Sequence, residues 1–187
     1  LSLSSILSPG TKKMNKENKL IPGLPSGFED RWGKKVLLKR KLLKVIENNF
    51  VKFGAEALET PSFEIAENIG SFLAEDEANP MSDVFSVEDG DKNITLRYDL
   101  SSPLARFYAQ NNQELPSIFK RYQIQNVFRN EKAGNGRYRE FMQADFDIIG
   151  NVNPAQANAE LCNLISSTLS DCGLNKDQFT INVSNRK

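Results

Sequence analysis

Residues Phe128 to Gly150 read FRNEKAGNGRYREFMQADFDIIG, a polar glycine-containing stretch followed by an alternating run. The upstream run FKRYQIQNVFR at 119–129 alternates apolar and polar side chains as a strand does, and YREFMQADFDII at 138–149 alternates in the same way. Between them NEKAGNGR forms a polar, glycine-containing connector of eight residues. Two such strands predict an antiparallel hairpin with an unusually long and charged tip. A period of two places Gln143, Asp145 and Asp147 on one face of the second strand, and Met142, Ala144, Phe146 and Ile148 on the other. Carboxylates are rarely buried unpaired, so a face with two acids and an amide suits a cationic or amine-bearing ligand. Arg129 and Arg137, at the two ends of the connector, have the chemistry to grip phosphates through charge-assisted bonds. The same patterning also fits a solvated sheet surface, where each ion pair contributes about 0–1 kcal/mol.

Moving towards the N-terminus, VFSVEDGDKNITLRYD at 84–99 reads as a hairpin turning between Glu88 and Asn93. Pro103 opens a helix through Tyr108, with Ser101 or Ser102 as its cap. A long amphipathic helix runs from Arg31 to about Phe53 and stops at Gly54, with Val36, Leu37, Leu42, Leu43, Ile46, Phe50 and Phe53 at helical spacing. Its lysines and arginines read more simply as a solvated face than as a nucleic-acid or membrane surface. AEALETPSF forms a short strand that Pro61 ends, and 64–83 reads as a helix followed by a surface loop. Residues 1–21 are expected to be a flexible tail, and 22–187 one α+β domain. Met14 is a candidate natural start, which would place residues 1–13 outside the native protein.

Composition narrows the chemistry. Twenty-four acids balance twenty-four bases, so the molecule has no large net field to draw in nucleic acid. The absence of histidine removes imidazole bases, His-based zinc sites and Ser-His-Asp triads. Cys162 and Cys172 are too few for a disulfide framework and read as free or buried thiols, in keeping with a cytoplasmic protein. No apolar run approaches the roughly 20 residues of a membrane span, and none is expected.

The run from Phe128 to Gly150 resembles motif 2 of the class II aminoacyl-tRNA synthetases, in the form used by histidyl-tRNA synthetases. Three other stretches are similar to the same family: LPSGFED at 24–30, TLRYDLSSPLARF at 95–107, and the long helix with the strand before Pro61, which resembles motif 1. Together they cover almost everything from Pro22 to Lys187. The resemblance implies a class II core, an antiparallel sheet flanked by helices, here incomplete.

It also implies roles. Arg129 would bind the α-phosphate of ATP and be the catalytic residue, Glu131 would approach the adenine amino group, and Arg137 would address the outer phosphates. Asp99, Ser101, Gln143 and Asp147 would line a histidine pocket, with Asp99 on the α-amino group. The implied reaction forms histidyl-adenylate from ATP with Mg²⁺ present, then passes the aminoacyl group to tRNA(His). The motif 1 likeness implies a homodimer. Ser101 stands where Thr is commoner, which keeps the hydroxyl. Because the sequence ends in INVSNRK, motif 3 and an anticodon-binding domain are expected to lie beyond it, and the fragment alone is expected to be inactive. A catalytically inactive relative, the regulatory subunit of ATP phosphoribosyltransferase, is the alternative within this fold. Intact Arg129, Glu131 and Arg137 favour the synthetase. A phosphate- or RNA-gripping module of another class would need a basic surface that this charge balance does not supply.

Overall fold

The computed structural model describes residues 22–67, 84–90 and 92–184. The tail at 1–21, most of the expected helix and loop at 64–83, and the last three residues lie outside the described residues. The long hairpin is the backbone of the architecture. Strands β5 (Ile118–Phe128) and β6 (Glu140–Gly150) pair antiparallel without a break, from Ile118 opposite Gly150 to Phe128 opposite Glu140. Gly150 has φ of 134°, and a side chain there would strike the Ser117 carbonyl, so only glycine closes this end of the ladder. At the other end β6 begins at Glu140, two residues later than the alternation predicts. Tyr138 and Arg139 belong instead to the tip, which turns through Gly136 (φ 74°) and a single bridge between Gly134 and Arg137.

On the far side of β5 lies β1 (Glu56–Ala57), which pairs parallel, with Ala57 opposite Tyr122. The strand expected before Pro61 is therefore very short. Helices α1 (Lys34–Lys52) and α3 (Pro154–Asp171) cover one face. Their core is Phe50, Ala55, Tyr122 and Leu164, with Ile46, Phe53, Ile124, Phe146 and Leu161 packed around it. The Phe50 ring sits 5.7 Å from Tyr122 and 5.6 Å from Phe146, tilted in both cases as ring quadrupoles prefer. Helix α1 begins at Lys34 and not at Arg31, because Gly33 holds φ at 61°; Gly54, at 81°, ends it as expected. Asn153 caps α3 by accepting from the Ala155 and Gln156 N–H groups, with Pro154 in the first helical position. Both cysteines are free.

A second small sheet, β2 (Phe63–Ile65), β4 (Lys92–Leu96) and β3 (Ser86–Asp89), is antiparallel in the order β2-β4-β3. The β3–β4 hairpin turns where expected. Glu64 and Ile65, by contrast, are in a strand and not a helix. Register against β4 points the Glu64 carboxylate inward, where Arg106 holds both its oxygens at 2.7 and 2.8 Å. Arg106 lies on α2 (Ser101–Asn111), which runs three residues beyond the expected Tyr108. Neither Ser101 nor Ser102 caps this helix. The Asp99 carboxylate accepts from the Ser102 N–H at 3.0 Å, so an acid just upstream satisfies the first-turn donor.

Arg97 ties the two sheets together. Its N–H donates to Ser62 O at 2.9 Å and its carbonyl accepts from Phe128 N at 3.0 Å. Its guanidinium, 3% exposed, donates to Asn126 O at 2.7 Å, Thr60 O at 2.7 Å and Gln125 Oε1 at 3.0 Å.

Of the apolar residues at helical spacing on α1, Phe50 is 7% exposed and Ile46 packs on the core, whereas Leu42 is 48% exposed. Phe50→Ala is therefore expected to cost about 3–5 kcal/mol in urea-induced unfolding, while Leu37→Ser, at a position facing outward, stays within about 0.5 kcal/mol. Equal losses at the two positions would contradict this division of the helix.

Candidate functional site

The face of the β5–β6 hairpin turned away from the helices is polar along its middle, between the apolar pairs Phe119–Ile149 and Val127–Phe141. Antiparallel register sets Arg121 opposite Asp147, Gln123 opposite Asp145, and Gln125 opposite Gln143. Two of the β5 members are sealed, Arg121 and Gln123 having no exposed surface, while Gln125 is partly buried. The β6 members stay half-exposed. Arg121 Nη2 lies 2.7 Å from Asp147 Oδ2 and donates to Leu100 O at 3.2 Å, while Nη1 reaches Gln123 Oε1 at 3.3 Å. Gln123 Nε2 in turn donates to Thr60 Oγ1 at 2.8 Å. Gln143 Oε1 is buried and accepts no hydrogen bond from the described residues. An acceptor left in that condition is costly unless a ligand completes it. Asp99 reaches this cluster from the loop before α2, and Ser101 stands exposed at the first position of that helix.

Burial and charge act against each other here. Burial pushes the Asp147 carboxyl above the ordinary aspartate value, although the Arg121 guanidinium pulls it down. Asp145 is raised for the same reason, with Arg121 opposing and the charges of Asp147 and Asp99 adding to the rise. Burial lowers the Arg121 value, partly offset by Asp147, Asp145 and Asp99. One guanidinium thus faces three carboxylates, and the excess negative charge would be relieved by an ammonium or imidazolium entering the half-open side.

At the tip end, the Arg129 N–H donates to Arg139 O at 2.9 Å, which fixes the strand end. Its guanidinium is stacked 4.3 Å from the Tyr98 ring centre and 5.1 Å from that of Phe141. Glu131 accepts from the Tyr98 hydroxyl at 3.0 Å and also pairs with Arg137 Nη2. Burial would raise the Glu131 carboxyl, but the Tyr98 and Arg137 hydrogen bonds and the Arg137 and Arg129 charges outweigh it and hold it below its ordinary value. Arg129, Glu131, Gly136, Arg137, Tyr138 and Phe141 line an open cavity of about 300 Å³. Gly27, in the LPSGFED stretch, accepts from Arg139 N at 2.8 Å, and its lack of a side chain leaves room for the Arg139 side chain laid against it. That lead-in therefore braces the tip from below. Among the described residues no group of three His, Cys, Asp or Glu side chains is arranged to hold a metal ion, and no helix is long and apolar enough to cross a membrane.

The family model described as histidyl-tRNA synthetase matches residues 27–187. This chain belongs to the histidyl-tRNA synthetase family. It is 79% identical over 174 residues to the histidine–tRNA ligase of Pelagibacter ubique, an alignment that takes in 93% of this chain and 37% of that protein. It is 42% identical over 173 residues to the ligase of Bartonella bacilliformis, covering 92% of this chain and 34% of that one. The chain therefore spans about a third of the length of the curated relatives it matches. Among solved structures, histidyl-tRNA synthetase from Nostoc sp. PCC 7120 superposes with a TM-score of 0.67 at 26% identity, over 79% of this chain and 34% of that one. An ATP phosphoribosyltransferase regulatory subunit/histidyl-tRNA synthetase from Bacillus halodurans gives a TM-score of 0.72 at 23% identity, over 85% and 40%; at that identity the likeness is one of fold. The mixed sheet flanked by helices is thus the class II synthetase core, incomplete in this chain.

Set against the family's motifs, Arg129, Glu131 and Arg137 converge on one cavity, and Asp99, Gln143 and Asp147 on one polar cluster. Three contributors escape sequence reading. Tyr98 neighbours Asp99 but acts on the other end of the site; Phe141 looks like an ordinary strand residue; and Arg121 meets Asp147 only through the hairpin register.

The raised values of Asp145 and Asp147 have a sign that can be checked. A carboxyl whose folded value lies above its unfolded one stabilises the fold below the unfolded value, near the ordinary 3.8, and this contribution is lost as pH rises through the folded value. Asp145→Asn is expected to be at least as stable as the parent at pH 7, the difference shrinking towards pH 4 in urea-unfolding curves. A variant less stable at pH 7 than at pH 4, relative to the parent, would reverse the assignment.

Proposed function

We propose that this chain contributes to ATP-dependent activation of histidine as histidyl-adenylate, followed by transfer to tRNA(His), in a cytoplasmic ligase that acts as a homodimer. The observation that carries this reading is the continuity of one sheet face. Phe141, Gln143, Asp145 and Asp147 follow one another on the same side of β6, so the arginine-lined cavity and the acidic cluster lie along one strand face. At a rise of about 3.3 Å per residue the six steps from Phe141 to Asp147 span roughly 20 Å, the scale of an amino acid joined to a nucleotide.

In this reading Asp99 and Asp147 hold the substrate ammonium and imidazole, and Gln143 completes its unpaired acceptor on the amino acid. The histidine carboxylate attacks the α-phosphorus and pyrophosphate departs. Negative charge grows on the phosphoryl oxygens, where Arg129 acts by fixed electrostatic stabilisation. Its stacking between two rings means that little reorganisation is needed during the reaction. Glu131 reads the adenine amino group, Arg137 moves to the outer phosphates, and Ser101 lines the amino-acid end. Magnesium would be carried on the nucleotide phosphates, and no step is assigned to a protein-bound ion. The outward Leu38 and Leu42 of α1 supply the apolar face for dimer contact.

In a full-length ligase carrying this sequence, Arg129→Ala is expected to lower ATP–pyrophosphate exchange by at least about 100-fold, equivalent to ~2.7 kcal/mol of transition-state stabilisation. Exchange surviving within about tenfold would refute its role. Asp147→Asn is expected to raise KM for histidine by about tenfold or more, with KM for ATP far less affected. An unchanged histidine KM would remove Asp147 from the pocket.

A further inference from the structure

The site described above leaves one residue unaccounted for that touches both nucleotide-binding groups. Tyr98 places its ring 4.3 Å from the Arg129 guanidinium, accepts from Arg129 Nε on its carbonyl at 3.4 Å, and donates its hydroxyl to Glu131 Oε1 at 3.0 Å. We propose that Tyr98 is a positioning residue that sets base selectivity, presenting the Glu131 carboxylate in one orientation while its ring holds Arg129 in place. This rests on the reading of the tip as the ATP site.

Two features make Tyr98 fit for this work. First, it follows Arg97, whose main chain is bonded to Ser62 and Phe128 and whose side chain is locked among Thr60, Gln125 and Asn126. A ring attached to that anchor has little freedom to drift. Second, the two oxygens of Glu131 have different partners. Oε1 is held by Tyr98, on the anchored side, and Oε2 by Arg137, whose side chain is 65% exposed on the tip. Phosphate entering the cavity competes for Arg137, and Oε2 is then released while Oε1 stays fixed.

The released oxygen is a pure acceptor. It suits the exocyclic amine of adenine and opposes the carbonyl that hypoxanthine carries at the same position. Without the Tyr98 hydroxyl the carboxylate can rotate, and that opposition weakens. Burial would by itself raise Glu131, and the Tyr98 hydrogen bond is first among the groups that bring its value down, which keeps it ionised as this role requires.

The test is pyrophosphate exchange by a full-length ligase carrying this sequence, run with ATP and with inosine triphosphate, on the parent, Tyr98→Phe, Tyr98→Leu and Arg129→Ala. Tyr98→Phe keeps the ring and is expected to raise KM for ATP about tenfold, the worth of one hydrogen bond to a charged group, with a smaller change in kcat. The preference for ATP over inosine triphosphate is expected to fall by a similar factor. Tyr98→Leu removes the ring as well, and kcat is expected to fall beyond that of Tyr98→Phe. Parental KM and base preference in Tyr98→Phe would overturn the proposal, as would equal losses of kcat and base preference in the two variants, which is the outcome of a merely structural role. Should the leucine variant not fold, the phenylalanine variant still decides. Exchange retained in Arg129→Ala would overturn the reading of the tip as the ATP site, whatever Tyr98 does.

Discussion

The structure depends on two buried guanidinium groups, Arg97 and Arg121. Charges of this kind are expensive to remove from water, and they are tolerated only when they are paired and hydrogen-bonded. Arg97 meets this demand with main-chain carbonyls from two different segments and one glutamine, and so it can be satisfied only when the two sheets are docked. Arg121 is held by Asp147, Leu100 O and Gln123 through its two terminal nitrogens, while its buried Nε has no acceptor among the described residues; these contacts require both the hairpin register and the start of α2 to be in place. A slip of one residue in β5–β6 would turn Arg121 into the apolar core and bring Tyr122 to the polar side. The continuous register from Ile118 to Phe128 is therefore coupled to the charge pattern as well as to hydrophobic burial.

This arrangement divides the hairpin into two faces of different stiffness and purpose. The Tyr122, Ile124 and Phe146 side is closed by α1 and α3 and contributes cohesion. The opposite side carries a polar middle, sealed at Arg121 and Gln123 and half-open along β6. Rigid, solvent-excluded groups thus stand directly behind the residues proposed to meet the ligand. Asp147 is aimed by Arg121, and Arg129 is clamped by Tyr98 and Phe141. Preorganisation of this kind is what makes electrostatic stabilisation effective, because the dipoles and charges need not turn during the reaction.

Much of the fold was legible in the sequence because period and punctuation are local properties. The alternation in FKRYQIQNVFR and FMQADFDII marked both strands, Gly54 marked the end of α1, and the DG pair marked the β3–β4 turn. The misreadings occurred where a distant partner overruled local preference. Glu64 and Ile65 looked helical among neighbouring acids, but pairing with β4 and the Arg106 fork drew them into a strand. The cap of α2 went to Asp99 and not to either serine, because the loop leaving Arg97 delivers that carboxylate to the first turn.

For the site, the sequence by itself determined which residue types are available and on which face of β6 they lie: Gln143, Asp145 and Asp147 together, separated from Phe146 and Ile148. It also carried the motif likeness that leads to the histidyl-tRNA synthetase family. Tertiary structure alone decided that Arg121 neutralises part of that acidic row, that Gln143 retains an unpaired buried acceptor, and that Tyr98 spans Arg129 and Glu131. The physical reason is range. Strand parity is set by bonds between adjacent residues, whereas desolvation and Coulomb energy depend on groups far apart in the chain that meet only when the sheets and helices have packed.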